Sequence, residues 1–221
     1  ITINAPGSDN DTTPTLSGTT DATPGSTVTL TITDSAGNTQ TVTTIVQADG
    51  TYSVDVPAEL AEGEFTINAS VTDEAGNTDT DTGTLVIDTT APTVAINDLT
   101  TNDTTPELTG TVNDPNAVVV VTIDGNDYTA TNNGNGTWTL ADNIVALLAE
   151  GNYTATVTAT DAVGNSDSAT GSIVIDTSID ENNNGQTVTF DSISNDSGVA
   201  GDFITSDSTL IFNGTVDLGD N

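Results

Sequence analysis

Two short motifs concentrate the polar chemistry of this chain. Asp73-Glu74-Ala75-Gly76-Asn77 and Asp161-Ala162-Val163-Gly164-Asn165 each set a carboxylate and a carboxamide on either side of a glycine. A third stretch, Asp180-Glu181-Asn182-Asn183-Asn184-Gly185, carries Asp191 at its twelfth position. That spacing wraps oxygens around Ca2+, with glycine at the sharp turn. Asp at the last place reaches less well as a bidentate ligand than Glu, and no helical pattern flanks the loop. All these groups are hard oxygen ligands, of which Ca2+ takes about six to eight. Thiolate and imidazole sites are excluded, because the chain has no Cys and no His. The motifs also have a plainer reading. Asp side chains bond their own backbone in tight turns, and Asn/Gly-rich linkers produce the loop spacing by composition.

The charge inventory narrows the function further. Asp and Glu number 33, Lys and Arg are absent, and the formal net charge is −33. No side chain can neutralise a phosphate, which excludes nucleic acids as partners. Anionic membrane surfaces repel such a chain, and no apolar run approaches the ~20 residues that span a bilayer. Direct membrane insertion is therefore not expected. Self-repulsion disfavours the compact state, and multivalent cations would relieve it. Without His, Lys or Cys there is no usual base–nucleophile pair. Paired carboxylates alone could support glycoside hydrolysis, but no insertion builds the deep cleft that this needs. The chain is not expected to be an enzyme. It starts at Ile1 without Met and shows no signal peptide, and it is expected to be a segment of something longer.

The elements that must position these carboxylates repeat. Leu85-Val86-Ile87-Asp88-Thr89-Thr90-Ala91-Pro92 reads as a strand end, an acidic hinge and a proline that stops the ladder. Ser172-Ile173-Val174-Ile175-Asp176-Thr177 restates it 88 residues later. The period divides the chain into modules at 1–88 and 89–176, followed by 177–221. Apolar residues alternate with polar ones, as in Val28/Leu30/Ile32, Phe65/Ile67/Ala69/Val71 and Tyr153/Ala155/Val157/Ala159, which is the pattern of half-buried strands. In the first module seven strands are expected, near 1–4, 15–20, 27–33, 39–46, 51–56, 64–72 and 82–88. Short strands, regular turns and no convincing helix argue for an antiparallel sandwich with Greek-key connections. Asp124-Gly125 is a hairpin signal, and 143–148 allows one helical turn. Tyr153 stands where a tyrosine corner would tie back to the backbone, while Phe65 holds that place in the first module. Residues 205–216 align with 101–112, so the last segment reads as the first two strands of a further module.

Val71-Thr72-Asp73-Glu74-Ala75-Gly76-Asn77, Ala159-Thr160-Asp161-Ala162-Val163-Gly164-Asn165 and Ile87-Asp88-Thr89-Thr90-Ala91-Pro92 together resemble the bacterial immunoglobulin-like repeats of giant secreted adhesins, including RTX-type biofilm and ice-binding adhesins. The similarity covers essentially the whole chain. It implies an all-β fold of tandem immunoglobulin-like Greek-key β-sandwiches arranged as an elongated, monomeric rod. It further implies a stalk stiffened by Ca2+ at its junctions, outside a Gram-negative cell, in a parent protein anchored at the outer membrane. The partners of each module would be its neighbours in the same polypeptide.

Sandwich topology then selects candidate metal ligands. At the first junction the lower module would present Asp9, Asp11, Glu62 and Asp88, and the upper one Asp114, Asp161 and Asn165. Asp21 and Asp73 would face a preceding module. At the second junction Asp176 and Glu150 would neighbour Asp180, Asn182, Asn184 and Asp191. Three readings compete: a calcium-stiffened spacer holding an adhesive domain away from the cell, a module that itself grips a glycan or protein, and an adaptation to high salt in which acidity serves solubility alone. Threonine ladders such as Thr27–Thr33 could suggest ice binding, but Thr is also the natural outer residue of a half-exposed strand on a twisted sheet. Trp138 in an alternating strand is expected in the core rather than on a sugar.

Overall fold

Alternation with period two puts one face of each strand inside, and the computed structural model builds sandwiches from it. It describes residues 1–178 and two later strands, and every regular element among them is a strand. The first module contains β1 (Thr2–Asn4), β2 (Gly7–Asp9), β3 (Thr15–Thr19), β4 (Thr27–Asp34), β5 (Thr39–Ile45), β6 (Thr51–Asp55), β7 (Gly63–Thr72) and β8 (Thr78–Ile87). One sheet runs β1-β3-β6 and the other β2-β8-β7-β4-β5. Leu16, Leu30, Ile32, Tyr52, Ile67, Leu85 and Ile87 fill the space between them and are essentially inaccessible. No polar or charged residue is fully buried among the described residues.

Two strands differ from their expected form. The first is split. β1 pairs antiparallel with β3, and β2 pairs parallel with β8 on the opposite sheet. Pro6, which has no N–H to donate, and Gly7, at φ 80°, stand at the crossing. The last strand begins at Thr78 rather than near residue 82. Its polar first half still pairs with β7, from Thr72↔Thr78 to Gly63↔Ile87. Backbone pairing continues there without an apolar face to announce it.

The second module repeats the plan with β9 (Val94–Ile96), β10 (Leu99–Thr101), β11 (Leu108–Val112), β12 (Val118–Ile123), β13 (Asn126–Asn132), β14 (Thr137–Leu140), β15 (Gly151–Thr160) and β16 (Ser166–Ile175). Here β13 pairs with both β12 and β14, which joins the two sheets into one eight-stranded ladder. Asp124 and Gly125 have φ of 50° and 75°, the pair of positive values that the tight β12–β13 hairpin needs. Tyr153 donates its hydroxyl to the carbonyl of Ala149 at 3.1 Å, the expected corner. The helical turn at 143–148 does not form. Asn143 has φ 64°, and the N–H groups of Asn143 and Leu148 donate across to Thr105 and Thr104. Those amides are spent on the neighbouring loop, and Val145 and Leu148 plug the core from an irregular backbone. Beyond this module β17 (Thr187–Ile193) and β18 (Phe212–Asp217) pair antiparallel. Their partners Val188↔Val216 and Phe190↔Gly214 reproduce Val94↔Val112 and Ile96↔Gly110 of β9 and β11.

One packing device recurs. Gly18 on β3 lies opposite Tyr52 on one side and Ile3 on the other. The tyrosine ring lies across the glycine, and its hydroxyl donates to the carbonyl of Thr2 at 2.7 Å. Gly110 and Trp138 do the same in the second module, with Trp138 Nε1 donating to the carbonyl of Ala95 at 2.9 Å. Trp138 is thus core, as its pattern indicated. The glycine leaves room for the ring, and the ring pins the short first strand. A methyl group at Gly110 would overlap the carbonyl oxygen of Ala95 and the indole. Gly110→Ala should therefore cost about 3 kcal/mol of stability, and Trp138→Phe, which removes the indole's bond to that carbonyl, about 1 kcal/mol. Urea unfolding measures both, and an unchanged midpoint for Gly110→Ala would contradict this packing.

Candidate functional site

The acidic motifs sit in hairpin turns. Between β15 and β16, Asp161 Oδ1 accepts the N–H groups of Val163, Gly164 and Asn165 at 2.9, 2.8 and 2.9 Å. Its Oδ2 accepts the carboxamide of Asn165 at 2.8 Å. Asp73 and Asn77 make the corresponding pair of bonds between β7 and β8. A third copy, Asp34-Ser35-Ala36-Gly37-Asn38, closes the β4–β5 turn in the same way. Sequence reasoning passed over it, although the Asp-x-Ala-Gly-Asn spacing was there to find. The tight-turn reading therefore holds at all three sites. Burial raises the Asp161 pKa, but the bonds donated by the Asn165 side chain and the turn's backbone outweigh it and hold the carboxyl below its ordinary 3.8. The Asn77 and Asn38 side chains are the largest cause of the same lowering at Asp73 and Asp34.

What separates Asp161 from the other two is its neighbour. Asn165 Nδ2 also donates to the backbone carbonyl of Asp88, at 2.8 Å, which binds the turn of the second module to the last strand end of the first. The N–H of Asp88 donates to the carbonyl of Asp9 at 2.9 Å, so the β2 end is tied to the same point. Around it lies an open cleft of about 380 Å³ lined by Asp88, Thr90, Ala91, Pro92, Asn113, Asp114 and Asp161. Each carboxylate is oriented by backbone: Asp88 accepts the N–H of Thr90 at 3.1 Å, and Asp114 that of Asn116 at 2.8 Å. Asn113, not foreseen, accepts the N–H of Thr93 at 2.8 Å and so braces the linker.

Asp88, Asp114, Asp161 and Asn165 thus meet at one place, as the topology required. Asp9, Asp11 and Glu62 do not line the cleft. Asp9 accepts the N–H of Asp11, and Asp11 the N–H and hydroxyl of Thr13. Glu62 is turned to the linker, where it accepts the hydroxyls of Thr89 at 2.9 Å and Thr90 at 2.6 Å. At the opposite end of the first module Asp21 and Asp73 share a cleft of about 350 Å³ with Asn77 and Asp79, the last not anticipated. Past the second module Glu150 accepts the hydroxyl of Thr177 at 2.7 Å, and Asp176 the N–H of Ser178 at 3.2 Å. Asp180, Asn182 and Asn184 lie outside the described residues. Asp191 stands in β17, which already begins at Thr187, position eight of the twelve-residue pattern.

Among the described residues no three carboxylates are gathered into a ready-made metal cluster. The first junction instead offers three from two modules facing one open space. Its donors are all oxygen and no protein cation competes for them, which suits a hard divalent ion such as Ca2+. No helix of the described residues is long and apolar enough to cross a membrane.

A family model described as a bacterial Ig-like domain matches residues 5–89 and again 93–177. Among solved structures the chain is similar to the tetra-tandem repeat in the extending region of a large adhesion protein, at 29% identity over 97% of this chain and 62% of that one, TM-score 0.37. It is similar to a Ca2+-stabilised adhesin that helps an Antarctic bacterium reach out and bind ice, at 28% identity over 88% and 52%, TM-score 0.41. A 1.5-MDa bacterial ice-binding adhesin matches at 26% identity over 79% and 65%, TM-score 0.38. The chain spans 52% to 65% of the length of these solved chains. No curated protein is significantly similar to it.

A carboxyl whose folded pKa lies below 3.8 contributes stability that is present above that value and lost as pH falls through the folded one. The Asp161 carboxyl carbon, followed by NMR, should titrate below 3.8 in the native chain and move upward in Asn165→Ala. The same titration in both proteins would contradict the turn's role.

Proposed function

The chain belongs to the bacterial Ig-like domain family, and from that premise we propose that it is an extender segment of a large cell-surface adhesin, its joints stiffened by Ca2+. The observation that carries this reading is the convergence of Asp88, Asp114 and Asp161 on one cleft between two sandwiches, with Asn165 bonded across the boundary. We take the modules as 1–88 and 89–176, with 177–221 opening a further one. Asp88 belongs to the lower module, while Asp114 and Asp161 belong to loops of the upper. A cation held by all three would tie the modules together and offset the repulsion among them. Asp21 and Asp73 would offer the upper half of such a joint to a preceding module, and Asp176 the lower half of the next.

Ca2+, when bound, supplies charge neutralisation and a rigid multidentate link. The chain's own residues prepare for it. Three turn amides hold the Asp161 carboxylate in place before any ion arrives. Asn165 and the Asp88–Asp9 amide bond hold the opposing strand end at hydrogen-bond distance. Extension is named for one protein the chain resembles and Ca2+ stabilisation for another. The setting is the bacterial surface, in a monomeric rod whose partners are neighbouring modules of the same polypeptide.

Small-angle scattering in millimolar Ca2+ should give a longer and narrower distribution of distances than in EGTA, and identical curves would refute the stiffened joint. Asp88→Ala should abolish most of the Ca2+-dependent rise in melting temperature. Asp49→Ala should leave that rise intact, because Asp49 serves only the turn in which it accepts the N–H and hydroxyl of Thr51. Equal effects of the two substitutions would sink the assignment.

A further inference from the structure

Glu62 was a candidate ligand on topology, yet it does not line the cleft, and its carboxylate is taken up by hydroxyls of the linker. Thr89 donates its hydroxyl at 2.9 Å, and Thr90 donates at 2.6 Å to Oε2 and 2.8 Å to Oε1. A looser version recurs one module later, where the Ser178 hydroxyl is shared with Asp176 at 3.5 Å. Glu150 receives the Thr177 hydroxyl at 2.7 Å and the Ser178 hydroxyl at 3.4 Å. In both cases the two hydroxyl residues directly follow the aspartate that comes just after the last strand, Asp88 or Asp176. In both, the glutamate precedes a glycine that starts the next-to-last strand, Gly63 at φ 135° and Gly151 at φ 151°. L-residues rarely adopt such values, so the glycine fixes where the carboxylate emerges.

We infer that Glu62 and Glu150 are linker latches: positioning residues that set the direction in which the chain leaves each sandwich, by gathering two hydroxyls, and that take no part in holding the cation. This deepens the extender reading, since a stiff joint needs both a link across the cleft and a defined exit from the module below. The hydroxyl pair matters because a carboxylate without cationic neighbours takes its donors from water or from the chain, and the linker supplies two within reach. Direction and cation binding are then carried by different residues of one joint, Glu62 for the first and Asp88, Asp114 and Asp161 for the second. The two properties should separate under mutation.

The test uses the full chain with one spin label on each complete module, at exposed threonines away from the junction. Distance distributions from pulsed electron resonance are taken in EGTA and in Ca2+, and Ca2+ binding is measured by calorimetry. Glu62→Ala should broaden the distance distribution in EGTA, where no cation contributes. It should leave the Kd for Ca2+ within about twofold, in contrast to the loss of about tenfold or more that removal of a ligand brings. Glu62→Gln, whose Oε1 still accepts a hydroxyl, should restore the narrow distribution, and Thr89→Val with Thr90→Val should mimic Glu62→Ala. A tenfold weaker Kd in Glu62→Ala would overturn the inference by making Glu62 a ligand. An unchanged distribution in EGTA would overturn it by showing that the hydroxyls hold nothing. If the unmodified chain binds no Ca2+ at the junction, the extender's metal fails, while the EGTA distributions still decide the latch.

Discussion

No carboxylate of this chain can be neutralised by a side chain of the chain itself. There are 33 acidic residues and no Lys, Arg or His. An ordinary domain pairs its acids with nearby cations or disperses them among mixed charges. Here the compensation is dipolar. Asp9, Asp11, Asp34, Asp49, Asp73, Asp88, Asp103, Asp114 and Asp161 each accept an N–H from a residue two to four places ahead. Hydroxyls and carboxamides complete several of these shells. These acids are thereby placed at turns and strand ends, where backbone donors are left over from the ladder, and among the described residues no polar or charged residue is fully buried. Self-repulsion is spread over loop ends instead of being pressed into the core.

Loop ends are also where sandwiches joined end to end meet. A fold that parks its carboxylates in turns brings those of two modules face to face across each joint. The repulsion that results is largest where the modules approach, because screening by salt acts over about 8 Å at physiological ionic strength. One direct bond is described across the joint, Asn165 to the carbonyl of Asp88, and Asp88 is tied back to Asp9 within its own module. A divalent cation turns the same crowding into attraction. On the proposed reading the joint would be a place where one solute in the surroundings decides between looseness and stiffness, and the sandwiches need change nothing inside.

Much of this was legible in the residue pattern. Alternation locates the strands, the 88-residue period locates their equivalents, and the order of loops brings Asp88, Asp114 and Asp161 to one cleft. The misses have physical causes. The split of the first strand at Pro6 follows from sheet switching, which leaves no mark on an apolar pattern of three residues. The early start of β8 is a polar stretch held by its partner β7, and pairing of that kind has no hydrophobic signature. At 143–148 the composition suited a helical turn, but Thr104 and Thr105 take its amides. Topology puts Glu62 at the right end of the module but not at the cleft wall, because it assigns a residue to a region and not to a rotamer. The rings of Tyr52 and Trp138 lying over Gly18 and Gly110 needed the cross-strand register, which neither aromatic announces alone.

The central claim is that a cation occupies the joint between the two complete modules. Anomalous diffraction from crystals of the chain grown with Ca2+, or with a lanthanide in its place, tests it most directly. The account predicts a strong peak between Asp88, Asp114 and Asp161, with carboxylate oxygens drawn toward it to about 2.3–2.6 Å for Ca2+. A joint that shows no peak, with those three carboxylates turned to water, would contradict it.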